Sequence, residues 1–223
     1  MHNFLSDDKK SYDLTYGINK ISQQLYNVPD ELNEAYKDFL AQDLVQVLGL
    51  DFYYQSQLTI RLQTPHPSAK LFYPMFHSDI QLGHPPHEIN VWLPLSQPSN
   101  DEGHGFAISS LDESIAVFEK YDFDLEKMKE DSAATSLELK ETAKLEKCEI
   151  GTVLLFDTRK FHSTIPLEKH SRVSLDIRVM VKNEYERAAR TYVGTGRKKV
   201  KFAPGFAYSE TSINLKDSPN SKT

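Results

Sequence analysis

The sequence predicts a mainly β protein, closed or sandwiched, with one supporting helix near its N-terminus. Three observations predict it. Short apolar runs with period-two alternation are separated by clusters of Pro, Gly, Asn and Asp. Only one stretch, from Pro29 to Leu48, shows clear helical periodicity. The length of 223 residues is enough for a single all-β domain with a packed core. Hydrophobic content is modest at 39%, but 12 Phe and 11 Tyr each bring a large area to bury.

Taken in order, residues 1–28 are polar with scattered aromatics (Phe4, Tyr12, Tyr16, Tyr26) and read as an arm packed on the domain. In the helix that follows, Leu32, Tyr36, Phe39, Leu40, Leu44, Val47 and Leu48 recur at helical spacing. Pro29 with Asp30 and Glu31 suits its first turn, and Gly49 suits its end. Strand patterns then run over 57–62, 70–76, 90–93 and 103–109, with Pro, Asn and Asp turn signals after several of them. Ser110 and Glu113 have capping-box spacing ahead of Ile115, Ala116 and Phe118, so a short helix begins there. Residues 120–149 carry nine acidic and six Lys side chains with little apolar periodicity. That stretch reads as a long solvated loop, or as a lid over a reactive site. Residues 150–156 form an apolar run expected to be buried, and 173–181 an alternating strand. Beyond Lys182 lie basic clusters, with 197–201 expected at the surface, and Tyr192, Phe202, Phe206 and Tyr208, which are able to pack. Residues 216–223 read as a disordered tail, leaving 1–215 as one domain.

Composition narrows the function. A net charge of −6 argues against a general nucleic-acid binder. Cys148 is the single cysteine, so no internal disulfide can form; a buried structural thiol in a reducing, cytoplasmic setting is expected. No apolar run approaches the roughly 18 residues of a membrane span, and Asp7, Asp8, Lys9 and Lys10 are unlike a signal peptide. A small-molecule partner, not nucleic acid or membrane, is the expectation.

The chemistry concentrates at Phe76-His77-Ser78-Asp79, with His162 following His77 by 85 residues and Arg172 ten residues further on. Residues two apart in a strand point the same way, so His77 and Asp79 project together while a distant strand delivers His162. Two imidazoles and one carboxylate on one face of a metal, with the other positions open, suit Fe(II), and also Mn(II), Co(II), Ni(II) and Zn(II). Arg172, Ser174, Asp176 and Arg178 share one face of the next strand by the same rule. An arginine turned inward needs an anion, and a carboxylate co-substrate is its natural bidentate partner. Either Arg172 or Arg178 fits. On the preceding strand Asn90 points inward, able to meet the co-substrate, as does Trp92, for which core packing is the plainer role. Arg61 lies on a strand where an anionic substrate could meet it, a solvated edge position being its plainer role. His84-Pro-Pro-His87 reads as a loop beside the metal with His84 able to face the substrate, although plain surface histidines are the simpler role. His66 and His104 read as ordinary histidines.

These residues carry a family resemblance. His77-x-Asp79, His162 and Arg172-Val-Ser174, with Ile89-Asn-Val-Trp-Leu-Pro-Leu95 and Arg172-Val-Ser-Leu-Asp-Ile-Arg178 around them, resemble the motif of Fe(II)/2-oxoglutarate-dependent dioxygenases. The likeness is to the small bacterial branch of streptomycin-cluster oxygenase-like and phytanoyl-type proteins, and it spans about 57–182, the extent of a core barrel. It implies a double-stranded β-helix (jelly roll, cupin-like) in which His77, Asp79 and His162 bind Fe(II). Arg172, favoured over Arg178 by the family's ten-residue spacing and Arg-x-Ser form, would hold 2-oxoglutarate with Ser174 beside it. The implied reaction couples O2-dependent decarboxylation of 2-oxoglutarate to succinate with oxidation of a C–H bond in a small polar metabolite. Related halogenases lack the carboxylate ligand, so Asp79 implies hydroxylation, desaturation or ring closure. The alternatives are a cupin-like metal enzyme that gives Arg172 no task, and a jelly roll that binds its ligand without turnover.

Overall fold

The computed structural model describes residues 12–13, 18–19, 29–56, 58–63, 75–98, 103–165, 167, 170–191 and 208–219. After a two-residue antiparallel ribbon of β1 (Tyr12–Asp13) and β2 (Ile18–Asn19) comes one helical rod. It joins α1 (Asp30–Asp38), a π-helical turn (Phe39–Leu44) and α2 (Val45–Leu48), and Gly49 ends it in the left-handed conformation at φ 63. The π turn has a sequence cause. Tyr36, Leu40, Leu44 and Leu48 repeat every four residues, longer than the 3.6-residue α period, and the wider turn keeps them on one side. Val47, expected on the apolar face, is consequently 63% exposed.

The strands β3 (Phe52–Tyr54), β4 (Ile60–Gln63), β5 (Glu88–Pro94), β6 (Phe106–Ile108), β7 (Lys144–Leu145), β8 (Leu154–Asp157), β9 (His162–Thr164) and β10 (Arg172–Val181) form two antiparallel sheets. One has the order β3-β10-β5-β8 with β4 also on β10; the other has the order β7-β6-β9. The chain is therefore sheet-rich and antiparallel, as the alternating runs predict.

The central strands β10 and β5 are covered on both faces, and period two separates the two coverings. Leu175, Ile177, Val179 and Val91 face the helical rod, where Tyr36, Leu40, Leu44 and Val45 complete the main core. The opposite face is polar: Arg172, Ser174, Asp176 and Arg178 on β10, and Glu88, Asn90 and Trp92 on β5. The register sets Arg178 beside Asn90 and Asp176 beside Trp92.

Several expectations are corrected. Residues 120–149 are not a loop: after α3 (Leu111–Lys120) come α4 (Leu125–Glu130) and α5 (Ser132–Lys140). Their charges face water, while Met128 and Leu139 join Val117 and Phe118 in a core that includes Phe76 and Phe161. The Asp124 carboxylate caps α4 by accepting from Glu126 N–H (3.1 Å) and Lys127 N–H (3.2 Å). A turn at Glu149–Thr152 with Gly151 at φ 89 carries Ile150 to 49% exposure, so only the later part of the 150–156 run is strand. Helix α6 (Lys182–Thr191) was not expected; Tyr185 and Ala188 pack it on Met180 and Tyr208. Residues 216–219, read as the start of the disordered tail, continue from a 3-10 turn at Leu215–Asp217, and Ser218 is buried. The strand expected at 70–76, His66, the basic 197–201 cluster, Tyr192, Phe202 and Phe206 lie wholly or largely outside the described residues.

Candidate metal centre

His77 and His162 sit directly opposite each other in an antiparallel bridge. His77 N–H donates to His162 O (3.1 Å) and His162 N–H returns to His77 O (2.9 Å). Opposed residues in such a pair turn their side chains to the same side, and the two rings lie 4.5 Å apart by centroid. Asp79, two residues on, opens the 3-10 turn Asp79–Leu82. Its N–H donates to Thr158 O (3.2 Å) and its carbonyl accepts from His84 N–H (3.1 Å). One ligand atom from each of His77, Asp79 and His162 lies within 4.8 Å of the others, so the three are able to hold a metal ion.

The same alternation turns the preceding residues away from the site. Phe76 and Phe161 point into the helical layer of α3, α4 and α5. That layer also grips their backbones: Phe76 N–H donates to Ser136 Oγ (2.9 Å), Phe161 N–H to Ser114 Oγ (3.0 Å), and Phe161 O accepts from Ser109 N–H (2.8 Å). The charged insertion is thus a buttress behind both histidines.

Each imidazole is oriented from behind. His77 Nδ1 donates to Met75 O (3.1 Å) and His162 Nδ1 to Lys160 O (3.1 Å). A carbonyl can only accept, so Nδ1 carries the proton and Nε2 keeps the lone pair a metal needs. Burial first, then His162, pushes His77 down to about 3, which keeps its ring neutral. Burial alone would raise the Asp79 carboxyl, but Arg178 and the surrounding histidines hold it well below the usual carboxylate range. Arg178 donates from both Nε (3.1 Å) and Nη2 (2.9 Å) to the single oxygen Oδ2. Both of these bonds therefore use the same carboxylate oxygen.

Alongside this cluster are buried polar atoms with no hydrogen-bond partner among the described residues: Arg172 Nε, Ser174 Oγ, both ends of the Asn90 amide, and His104 Nδ1. Such atoms are costly unless a ligand or water meets them. Arg172 Nη1 donates to His104 O (2.9 Å) and Gly105 O (3.2 Å). Gly105 is fixed there by φ +59 and by space, since an added Cβ would lie 2.6 Å from Ile165 O.

The remaining sequence-selected residues find particular partners. Arg61 pairs with Asp176 at 3.4 Å. His84 is turned to Glu88, with Nδ1 2.8 Å from Oε2. Trp92 stacks on Phe106 at 5.2 Å and packs with Ile108 and Phe156. His87 is bound at the surface by Arg187 and Glu184. Cys148 is half-buried near Glu146. Sequence reasoning missed Glu88 and Tyr208, whose side chains meet in the interior. The one signal for Glu88 was its place two residues before Asn90 on the same strand face.

Fold and site together define an antiparallel β protein with a two-histidine, one-carboxylate cluster suited to a divalent ion. Neither a family model nor a curated protein matches the chain. Among solved structures it is distantly similar to a nickel complex of the non-heme monooxygenase ThoJ (11% identity, 75% of this chain and 56% of that one, TM-score 0.39). It is also similar to the non-heme alpha-ketoglutarate-dependent carbocyclase SnoK from nogalamycin biosynthesis (10%, 76% and 65%, TM-score 0.43). A third is the epimerase SnoN of the same biosynthesis, described in the same terms (11%, 81% and 73%, TM-score 0.45). The chain spans less than two thirds of the first two, at 56% and 65% of their lengths. No helix among the described residues is long and apolar enough to cross a membrane.

Proposed function

We propose that the chain is a non-haem Fe(II)/2-oxoglutarate-dependent oxygenase acting on a C–H bond of a small polar metabolite, and that its two sheets are the halves of a jelly roll. The observation that carries the proposal is the His77–Asp79–His162 cluster with both Nε2 lone pairs preset by backbone carbonyls. Two neutral imidazoles and one carboxylate, with the other positions open, are the donor set that non-haem Fe(II) oxygenases use. Bound there, Fe(II) would supply O2-dependent oxidation coupled to decarboxylation of the oxo acid.

This chain's own residues do the rest. Arg172 is the proposed anchor for the distal carboxylate of 2-oxoglutarate, with Ser174 and Asn90 offering the further unpartnered buried groups. Arg178 is given a different task here, since both of its short bonds go to Asp79. Formal charge supports a doubly negative co-substrate. Asp79, Glu88 and Asp176 cancel Arg61, Arg172 and Arg178. With the imidazoles neutral, a divalent ion then leaves two positive charges in a low-dielectric interior, which a dicarboxylate neutralises. Hydroxylation is the proposed outcome, since Asp79 occupies the place a halide would need.

A metal enzyme without 2-oxoglutarate is favoured by one observation: Arg172 Nη1 already has two carbonyl partners. Turnover separates the two readings. Fe(II)- and O2-dependent conversion of 2-oxoglutarate to succinate by the purified protein supports the oxygenase; metal binding with no consumption of 2-oxoglutarate supports the other.

A further inference from the structure

Glu88 is a buried acid that the proposed chemistry does not use. Its side chain is 1% exposed, and a carboxylate is costly to hold there without partners. It has three. Oε1 accepts from the Tyr208 hydroxyl; Oε2 lies 2.8 Å from His84 Nδ1 and 3.9 Å from Arg178 Nε. Arg178 in turn gives both of its short bonds to one oxygen of Asp79. A guanidinium meeting a lone carboxylate commonly forks across both oxygens. Here both short bonds go to Oδ2, and a second carboxylate, Glu88, lies 3.9 Å away on the Nε side.

We propose that Arg178, Glu88 and Tyr208 are positioning residues that fix Asp79 as a one-oxygen metal ligand, and that the segment carrying Tyr208 is therefore part of the metal centre. The inference rests on the metal-site reading. Geometry supports each link. Glu88 and Arg178 lie on neighbouring strands of one sheet, where β5 pairs with β10. Tyr208 is 2% exposed, and its backbone bridges Gln55 while Ser209 N–H donates to Tyr54 O at 2.8 Å. The hydroxyl is thus delivered from 120 residues away in sequence. His84 closes the loop from the other side, because its backbone N–H holds the Asp79 carbonyl (3.1 Å) while its ring holds Glu88.

The test is Co(II) binding to the metal-free full chain, read by calorimetry and by the visible ligand-field spectrum, beside thermal melting of the metal-free form. Three variants are compared with the wild type: Tyr208→Phe, Glu88→Gln and Arg178→Lys. Outer-shell partners of metal ligands typically contribute about tenfold to a hundredfold in metal affinity. Each variant is expected to lose affinity on that scale and to shift the Co(II) spectrum. Tyr208→Phe should do so with its metal-free melting temperature nearly unchanged, since it deletes one hydroxyl and keeps the ring. Arg178→Lys keeps the charge but not the paired bonds, so a merely electrostatic role would leave its spectrum at wild type. If Glu88→Gln fails to fold, Tyr208→Phe still decides. Wild-type affinity and spectrum in folded Tyr208→Phe and Arg178→Lys would overturn the inference alone. Absence of Co(II) binding by the wild type would instead remove the metal reading beneath it.

Discussion

Replacing Arg172 by Met isolates the proposed co-substrate anchor. Arg172 is 5% exposed and has no carboxylate partner among the described residues; its Nε has no partner there at all. Burial, reinforced by Arg61, pushes the guanidinium from 12.5 down to about 10. At about 1.4 kcal/mol per pH unit, that is about 3 kcal/mol against the charged form. A carboxylate meeting the guanidinium recovers an amount of that order, so Arg172→Met is expected to weaken 2-oxoglutarate binding by about a hundredfold. Methionine follows the aliphatic stem of arginine and removes the buried charge with its penalty. Metal-free stability should therefore hold, despite the loss of two bonds to carbonyls. The assay is anaerobic calorimetry of 2-oxoglutarate into the Co(II)-loaded protein, with Co(II) affinity measured first. Wild-type Co(II) binding with the co-substrate affinity lost is the expected pair of results. A co-substrate affinity within about threefold of wild type, less than 1 kcal/mol, would refute the assignment of Arg172.

Acid should destabilise the metal-free protein before ordinary carboxylates titrate. His77 stands at about 3 in the folded chain against about 6.5 unfolded. The unfolded state therefore takes up the proton first. Stability is full above about 6.5 and is lost as pH falls toward 3. Asp79, also held low, adds a further loss below about 4. Urea midpoints should fall between pH 7.5 and 5, and His77→Gln should flatten that fall; a flat wild-type profile would contradict the lowered His77. For the buttress, Phe161→Ala empties a fully buried site and is expected to cost about 3–5 kcal/mol while weakening Co(II) binding. Phe123→Ala, at a ring 63% exposed on the same helical layer, should change both little; equal effects from the two would remove the buttress argument.

What could be read from the sequence was local geometry. His77 and Asp79 come together because strand period is two, and the inward face of Arg172, Ser174, Asp176 and Arg178 follows from the same rule. His162 was found through spacing, and the bridge it forms with His77 is the contact that spacing stood for. Period two could not separate Arg172 from Arg178, since both lie on one face. The difference is tertiary: one guanidinium meets Asp79, while the other, among the described residues, hydrogen-bonds to carbonyls. The Glu88–Tyr208 bond joins positions 120 residues apart, with no local pattern to announce it. The helices at 125–140 escaped notice because they bury a narrow strip, Met128, Thr135 and Leu139, under many charges. Asp124 as an N-cap was the signal passed over.

The most direct measurement of the central claim is an anaerobic visible spectrum of metal-free protein, taken after Fe(II) and again after 2-oxoglutarate. A weak charge-transfer band that requires both additions, and is absent from His162→Ala and Asp79→Ala, is the expected result. It would mean that His77, Asp79 and His162 hold the iron and leave positions open for the oxo acid. Fe(II) bound by the wild type with no band on adding 2-oxoglutarate would contradict the oxygenase account and leave a metal protein of another kind.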